Sequence, residues 1–446
     1  MRAPWCVARV ARVALVALAA AAFAIAPGCA STARPEGQVV LHVTTDAPVG
    51  GAGGLFDRLI VDVLAPGERA PCGGCTRRFA VDDDRMARGR VSFGVMARPG
   101  VAGYRARVRL YRSGGTASGE PRPASTLETV VALPTVAEEG IVDATVTLHL
   151  TDLARPRGTV DAPVAFEPGA PPAGVVGSVL ASHPKACVGE PAEDEVCVPG
   201  GVFWMGNPRI DALDEREADG RTERVVFVSP FFLERAEVTV SQLRAARVAR
   251  VVDDPVEGGR ARPECLYTAD PGDNDDLPVN CLSWQRARAY CTKVGKRLPS
   301  EAEYEYVAGG LEGRSFVWGT DLPQCADAVF ARGTICPGPR RPSPAGRGVR
   351  DQIGIGGRLV LDLAGNLREM TLDRFRRGDE ACWGSGVFAD PVCERDSDDE
   401  VVPRTVRGGS YVDEGTLLRA AQRSFLENER FGVSEHVGFR CARPGR

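Results

Sequence analysis

The sequence predicts an exported chain of two domains, an all-β domain followed by a helix-containing domain stapled by cysteines. Three observations carry this expectation. In the first third of the chain Tyr104, Ala106, Val108 and Leu110 alternate with Arg105, Arg107 and Arg109, and Val142, Ala144, Val146, Leu148 and Leu150 alternate with Asp143, Thr145, Thr147 and His149. That is the period-two pattern of half-buried strands. Between Leu277 and Gly319 the pattern changes to two short, well-punctuated helices. Finally, 14 cysteines stand in a chain that begins with an export signal, which argues for disulfides rather than a cytosolic thiol or metal framework.

Residues 1–28 read as a lipoprotein signal peptide. Arg2, Arg9 and Arg12 form a basic n-region, Val13 to Ala26 an apolar h-region, and Ala26-Pro27-Gly28-Cys29 resembles a lipobox. The apolar run is too short for a comfortable transmembrane span. Ordinary cleavage a few residues later is the alternative and leaves Cys29 without a role. The placement of Gly-Cys before a Ser/Thr/Pro/Glu tether favours lipidation of Cys29. The expected location is the bacterial cell envelope, outer membrane or periplasm, with membrane contact only through the lipid anchor. A net charge of −4 gives no electrostatic case for nucleic acid, and 43% hydrophobic content is ample for real cores.

Residues 36–153 read as an all-β sandwich of roughly immunoglobulin-like type, with short strands such as Gln38 to Thr44 and Leu59 to Leu64 between Gly/Pro-rich turns. Cys72-Gly-Gly-Cys75 has CxxC spacing. With no helix start behind it, a local disulfide or tight turn is the plainer reading than redox chemistry. Asp82-Asp83-Asp84 reads as a solvated turn rather than a metal site. Residues 154–185 read as a linker, because Pro156, Pro163, Pro168, Pro171, Pro172 and Pro184 with several glycines leave little room for regular structure.

From residue 186 to 446 lies the second domain. Ser283 is placed to cap a helix through Trp284, Ala287, Tyr290 and Cys291 that stops near Gly295. Ser300 and Glu303 form a capping box for the next helix, Glu301 and Glu305 fall near its positive end, and Gly309 and Gly310 close it. The loop carrying Asp270, Asp273, Asp275 and Asp276 lacks EF-hand spacing and its terminal glutamate, so it reads as solvated.

These residues also carry a resemblance. Ser283-Trp284, Ala289-Tyr-Cys291 and Gly295-Lys-Arg-Leu-Pro-Ser-Glu-Ala-Glu-Tyr-Glu-Tyr306 look like the signature of the formylglycine-generating enzyme (sulfatase-modifying factor) family. Val198-Pro-Gly-Gly-Val-Phe-Trp-Met-Gly206, Glu237-Val-Thr239, Asp362-Leu-Ala-Gly-Asn-Leu-Arg-Glu369, Arg407-Gly-Gly-Ser-Tyr411, Arg419-Ala-Ala-Gln-Arg423 and Gly438-Phe-Arg-Cys441 extend it in family order. The resemblance implies an α+β, C-type-lectin-like fold of low regularity. It also implies a disulfide between Cys291 and Cys441. Near-neighbour pairs 187–197, 265–281, 325–336 and 382–393 are guesses that spacing cannot establish.

The family enzymes oxidise a sulfatase cysteine with oxygen and a copper(I) ion held by two cysteines. Here Ser410 to Arg419 contains no cysteine and Asp413 stands about where the first thiol belongs. A hard carboxylate is a poor ligand for copper(I), so the sequence argues against copper. Ala308 and Ala420 take the places of a second family disulfide, and Arg368 and Met370 replace tryptophans usual around the Gly-Asn motif. A histidine-bound iron, as in another branch of the family, is not expected from the scattered His42, His149, His183 and His436. Nor does the pair Ser434 and His436 by itself imply a hydrolytic triad. A structural calcium ion is expected, with Asp362 and Glu369 as side-chain ligands and the carbonyls of Gly365 and Leu367 between them. The expected function is non-catalytic binding of an envelope protein or glycan. The alternative is a divergent oxidase, or other enzyme, acting on an exported protein such as a sulfatase.

Overall fold

The computed structural model of the chain describes residues 36–50, 54–87, 91–182, 185–207, 222–246, 256–257, 260–261, 263–310, 313–376, 382–394, 403–426 and 433–446. The expected signal peptide (residues 1–28), Cys29 and His183 therefore lie outside the described residues. The chain divides into two units between Val179 and Leu180. Among the described residues no helix is long and apolar enough to cross a membrane.

The first unit contains two four-stranded sheets. In one, Ile141–Leu148 lies parallel to Gln38–Thr45, with Ser92–Val95 antiparallel on the far side of Gln38–Thr45. In the other, the strands run in the order Thr76–Ala80, Arg58–Leu64, Arg105–Tyr111, Thr126–Ala132, all antiparallel. The alternation in the sequence is the cause of the pleat: Ala106, Val108 and Leu110 are fully buried while their arginine neighbours are not. On the outer face Arg109 pairs with Asp62 and Glu120.

Two expectations for this unit need correction. The segment 154–185, expected as a linker, is bound to the sheets over its first half. Glu167–Pro168 pairs with Ile141–Leu148, and the N–H of Val164 donates to the carbonyl of Val130. A proline at a sheet edge forfeits no ladder bond, so Pro/Gly content alone did not exclude pairing. The Asp82-Asp83-Asp84 turn opens a short helix, Asp83–Ala87, with Asp82 accepting from the backbone of Arg85.

The second unit is sheet-rich with few helices. Its central sheet runs Arg423–Leu426, Arg404–Arg407, Arg368–Arg374, Val437–Gly438. Two three-stranded sheets flank it, one joining Glu195–Val198, Phe231–Glu234 and Ala442–Pro444, the other Gly201–Met205, Arg224–Val228 and Val387–Ala389. The helix Glu301–Gly309 starts at Ser300 with both halves of the capping box made. All nine of its residues are buried, so the helix is a core element rather than a surface one. The helix Trp284–Lys293 follows Ser283 without a side-chain cap bond and buries Trp284, Ala287, Tyr290 and Cys291.

Low regularity is offset by covalent ties. Cys291 is bonded to Cys441 over 150 residues, and 187–197, 265–281, 325–336 and 382–393 are also joined. Cys291 and Cys441 are both fully buried, fixing the Trp284–Lys293 helix to the last strand.

Candidate functional site

The turn Gly408-Gly409-Ser410 leaves the strand Arg404–Arg407 and passes against the loop 362–369. A side chain at Gly408, where φ is +73°, would meet the Tyr304 hydroxyl and the Leu363 carbonyl, which is why the close approach requires glycine. The N–H of Gly409 donates to Ala364 and that of Tyr411 to Asn366, clamping turn and loop together.

Beyond the turn Asp413 is closed off by its partners. Its Oδ2 accepts from the Ser410 N–H at 2.7 Å, the Ser410 hydroxyl at 2.9 Å and Arg368 Nε at 2.7 Å, while Arg368 Nη2 bonds Oδ1. The pair is bidentate, which is the strong geometry for a guanidinium and a carboxylate. His436 stands edge-on to the Tyr411 ring, 5.3 Å between centroids, and burial lowers its pKa. Its backbone N–H, not its ring, bonds Ser434. His42 and His149 pair with Asp143 and Asp46 in the first unit. The described histidines thus form no common metal site. All twelve cysteines among the described residues are in disulfides. In the Asp-rich loop Asp275 is held by Arg244 at 2.7 Å.

The loop 362–369 sits on a buried charge cluster. Asp351 accepts backbone bonds from Leu363, Ala364 and Gly365, and Glu237 accepts from Asn366 Nδ2 at 2.7 Å and the Leu367 N–H at 2.9 Å. Glu369 takes two 2.6 Å bonds from Arg440, both side chains being fully buried. Asp362, at φ +53°, accepts from the Gly346 N–H through Oδ2, whereas its buried Oδ1 has no hydrogen-bond partner. Burial, with the neighbouring Asp351 charge, pushes the Asp362 carboxyl up to about 7. Burial also lifts Asp351 to about 6, Glu237 well above the usual range, and Glu369 even against Arg440. The sequence expectation named Asp362, Gly365, Leu367 and Glu369, and the fold brings them into one loop. It missed Glu237, Asp351 and Arg440 as members of the same cluster. Among the described residues no three His, Cys, Asp or Glu side chains gather as a metal-holding group. The expected ligand set, two carboxylates with two carbonyls, is not of that kind. Asp362 Oδ1 is an unpartnered hard donor, while Glu369 is shared with Arg440.

A second buried cluster supports the site from below. Glu301 is paired with Arg423 and lies 3.5 Å from Arg407, and Glu305 is paired with Arg407. Burial would raise the Glu301 carboxyl, but Arg423 and Arg407 overcome it and hold it below the usual range. Arg224 stacks 5.2 Å from the Trp383 ring, and burial lowers its pKa to about 10. Glu301 lies in the first turn of its helix, where the dipole favours it, and beyond that role both Glu301 and Glu305 are core counter-ions of Arg423 and Arg407.

This fold and this site define a scaffold of the sulfatase-modifying type. The chain belongs to the sulfatase-modifying factor enzyme 1-like domain family, which matches residues 181–444. It is 27% identical to the formylglycine-generating enzyme of Thermomonospora curvata, over 58% of this chain and 96% of that one. It is 30% identical to the inactive C-alpha-formylglycine-generating enzyme 2 of Bos taurus, over 55% of this chain and 87% of the relative. Among solved structures, PvdO from Pseudomonas aeruginosa aligns with a TM-score of 0.43 and 23% identity over 59% of this chain and 99% of that one.

Proposed function

We infer that the second unit is a non-catalytic binding or structural module, carried by an envelope lipoprotein anchored through Cys29. The observation that carries this reading is the Arg368–Asp413 ion pair, standing about where the family's first catalytic thiol belongs. Copper(I) requires soft ligands, and Asp413 offers a hard carboxylate already committed to a guanidinium. No cysteine lies between Cys393 and Cys441, and both of those are in disulfides. The donor set therefore does not fit copper(I), and no oxidation step is drawn through it. A relative that is named inactive is consistent with this reading.

The loops beside the site suit recognition of an envelope protein or glycan. Leu322, Ile335 and Val349 are 72%, 73% and 61% exposed. The Cys325–Cys336 disulfide and the bond from the Val349 N–H to the Ala326 carbonyl hold them in one region. The first unit is a β-sandwich, a reading supported by the stacking of Phe79 on Phe93, from strands of different sheets, at 6.1 Å. Calcium stabilises the loop 362–369, held by Asp362, Glu369 and the carbonyls of Gly365 and Leu367. The unpartnered Asp362 Oδ1 and the excess of carboxylates around Arg440 support that assignment.

Copper(I) competition against a chromogenic chelator tests the reading. An anaerobic titration of the full chain with ascorbate, which keeps copper as copper(I) without opening the disulfides, should leave the chelator fully loaded. Stoichiometric withdrawal of copper(I), lost in Asp413→Ala, would overturn it.

A further inference from the structure

Cys72-Gly-Gly-Cys75 has no part in the reading above, and its surroundings give it one of its own. The two cysteines are bonded across a separation of 3 residues. Cys72, Gly73 and Gly74 are exposed, whereas none of the other disulfides has an exposed cysteine. A bond that closes so short a loop constrains the unfolded chain least, so it does the least for folding. It is also the one most open to an attacking thiolate.

Behind Cys75 lies an apolar cavity of about 50 Å³, room for one small side chain, whose walls include Val63, Cys75, Phe93, Met96, Tyr104 and Arg77. The strand Thr76–Ala80, which begins at the residue after Cys75, is the outermost of its sheet. Along its outer edge the carbonyls of Thr76 and Ala80 already accept from Arg77 and Arg85, so the strand edge itself is largely closed to a second chain. An exposed disulfide and an apolar seat thus meet within a few residues. Arg77 places its Nη1 2.7 Å from the Gly74 carbonyl, bringing a positive charge to the wall that Cys75 shares.

We propose that Cys72–Cys75 is a thiol–disulfide exchange centre for a dithiol peptide that seats one apolar side chain in the cavity. A peptide thiolate attacks Cys72 Sγ. The bond to Cys75 breaks, and Cys75 leaves as a thiolate beside Arg77 and takes a proton from solvent. The second peptide thiolate attacks the peptide sulfur of the mixed disulfide and expels the Cys72 thiolate, which is protonated in turn. Two electrons pass from peptide to protein, the peptide becomes a disulfide, and its two thiol protons are balanced by those gained on Cys72 and Cys75. The disulfide itself is the oxidant.

The oxidised full chain is mixed with a reduced Cys-x-x-Cys peptide carrying leucine beside its first cysteine. Thiols are then alkylated and mapped by mass spectrometry, with glutathione as a small competitor lacking the apolar group. The peptide should reduce Cys72–Cys75 while 325–336 and 291–441 stay bonded, and Cys75→Ala should form a stable mixed disulfide at Cys72 with the disulfide-linked dimer of a peptide whose second cysteine is alanine, because no resolving thiol is then left. Met96→Asp, at a position 39% exposed, should slow the peptide about tenfold and leave the glutathione rate unchanged. The proposal is overturned if the peptide opens 325–336 before 72–75, or if Met96→Asp reacts with the peptide at the wild-type rate.

Discussion

The buried carboxylate Glu301 gives the sharpest stability prediction. Glu301→Gln preserves shape and removes one charge from a side chain with no exposure to water. What remains is Arg423, which donated Nη2 to Glu301 Oε2 at 3.1 Å, and the fully buried Arg407, now served by Glu305. Breaking a buried pair by removing one partner strands a desolvated charge, which costs about 3–5 kcal/mol. Arg423→Met added to Glu301→Gln should recover part of that loss, because the stranded charge is then gone. The assay is urea unfolding of the full chain followed by tryptophan fluorescence. Four of the five tryptophans, Trp204, Trp284, Trp318 and Trp383, lie in the second unit, and Trp5 falls within the expected signal peptide, so the signal chiefly reports that unit. A loss below about 1 kcal/mol, the range of a solvent-screened pair, would mean that Glu301 is not a desolvated counter-ion.

Three further outcomes follow from the same structure. Replacing Cys291 and Cys441 by alanine opens a tie across 150 residues and should cost about 5 kcal/mol in the chain-entropy model, read as a lowered urea midpoint of the same fluorescence transition. Burial alone would raise the Glu195 carboxyl, but Arg443, the Ala192 N–H and Lys296 hold it at about 2, against an ordinary 4.5. Its stabilisation is therefore complete above pH 4.5 and is lost as pH falls toward 2. Glu195→Gln should remove about 2 kcal/mol at pH 7, since Arg443 is partly screened by water, and the difference from wild type should shrink through that window. Calcium at one hundred times its dissociation constant should stabilise the second unit by about 2.7 kcal/mol, raising Tm by several degrees in a manner abolished by Asp362→Asn. An unchanged Tm on chelation, with no calcium found by elemental analysis, would remove the site.

What the sequence disclosed and what it hid divide along sequence distance. The capping box of Ser300 and Glu303 is a three-residue signal, and the structure makes both of its bonds. The strand Arg105–Tyr111 was legible because alternation is local. The Gly-Asn loop was visible through Asp362 and Glu369, yet the partners that set its electrostatics were not. Arg440 reaches Glu369 across 71 positions, and Glu237 reaches Leu367 across 130. No local spacing announces such a pair. Glu301 shows the same limit from the other side. An acidic residue in a first helical turn has a sufficient local reason to be there, the dipole, and nothing nearby signals that Arg423, 122 residues on, will bury it. The segment containing Glu167–Pro168 was hidden because proline content speaks against interior strands, not against a two-residue edge pairing.

The proposed loss of oxidase chemistry turns on Asp413 standing paired with Arg368 where a thiol would be needed. The measurement that meets it most directly is incubation of the purified full chain with copper(I), oxygen and a Cys-x-Pro-x-Arg peptide, followed by mass spectrometry of the peptide. The peptide mass should be unchanged at every protein concentration. Appearance of the formylglycine aldehyde, in wild type and not in Asp413→Ala, would contradict it.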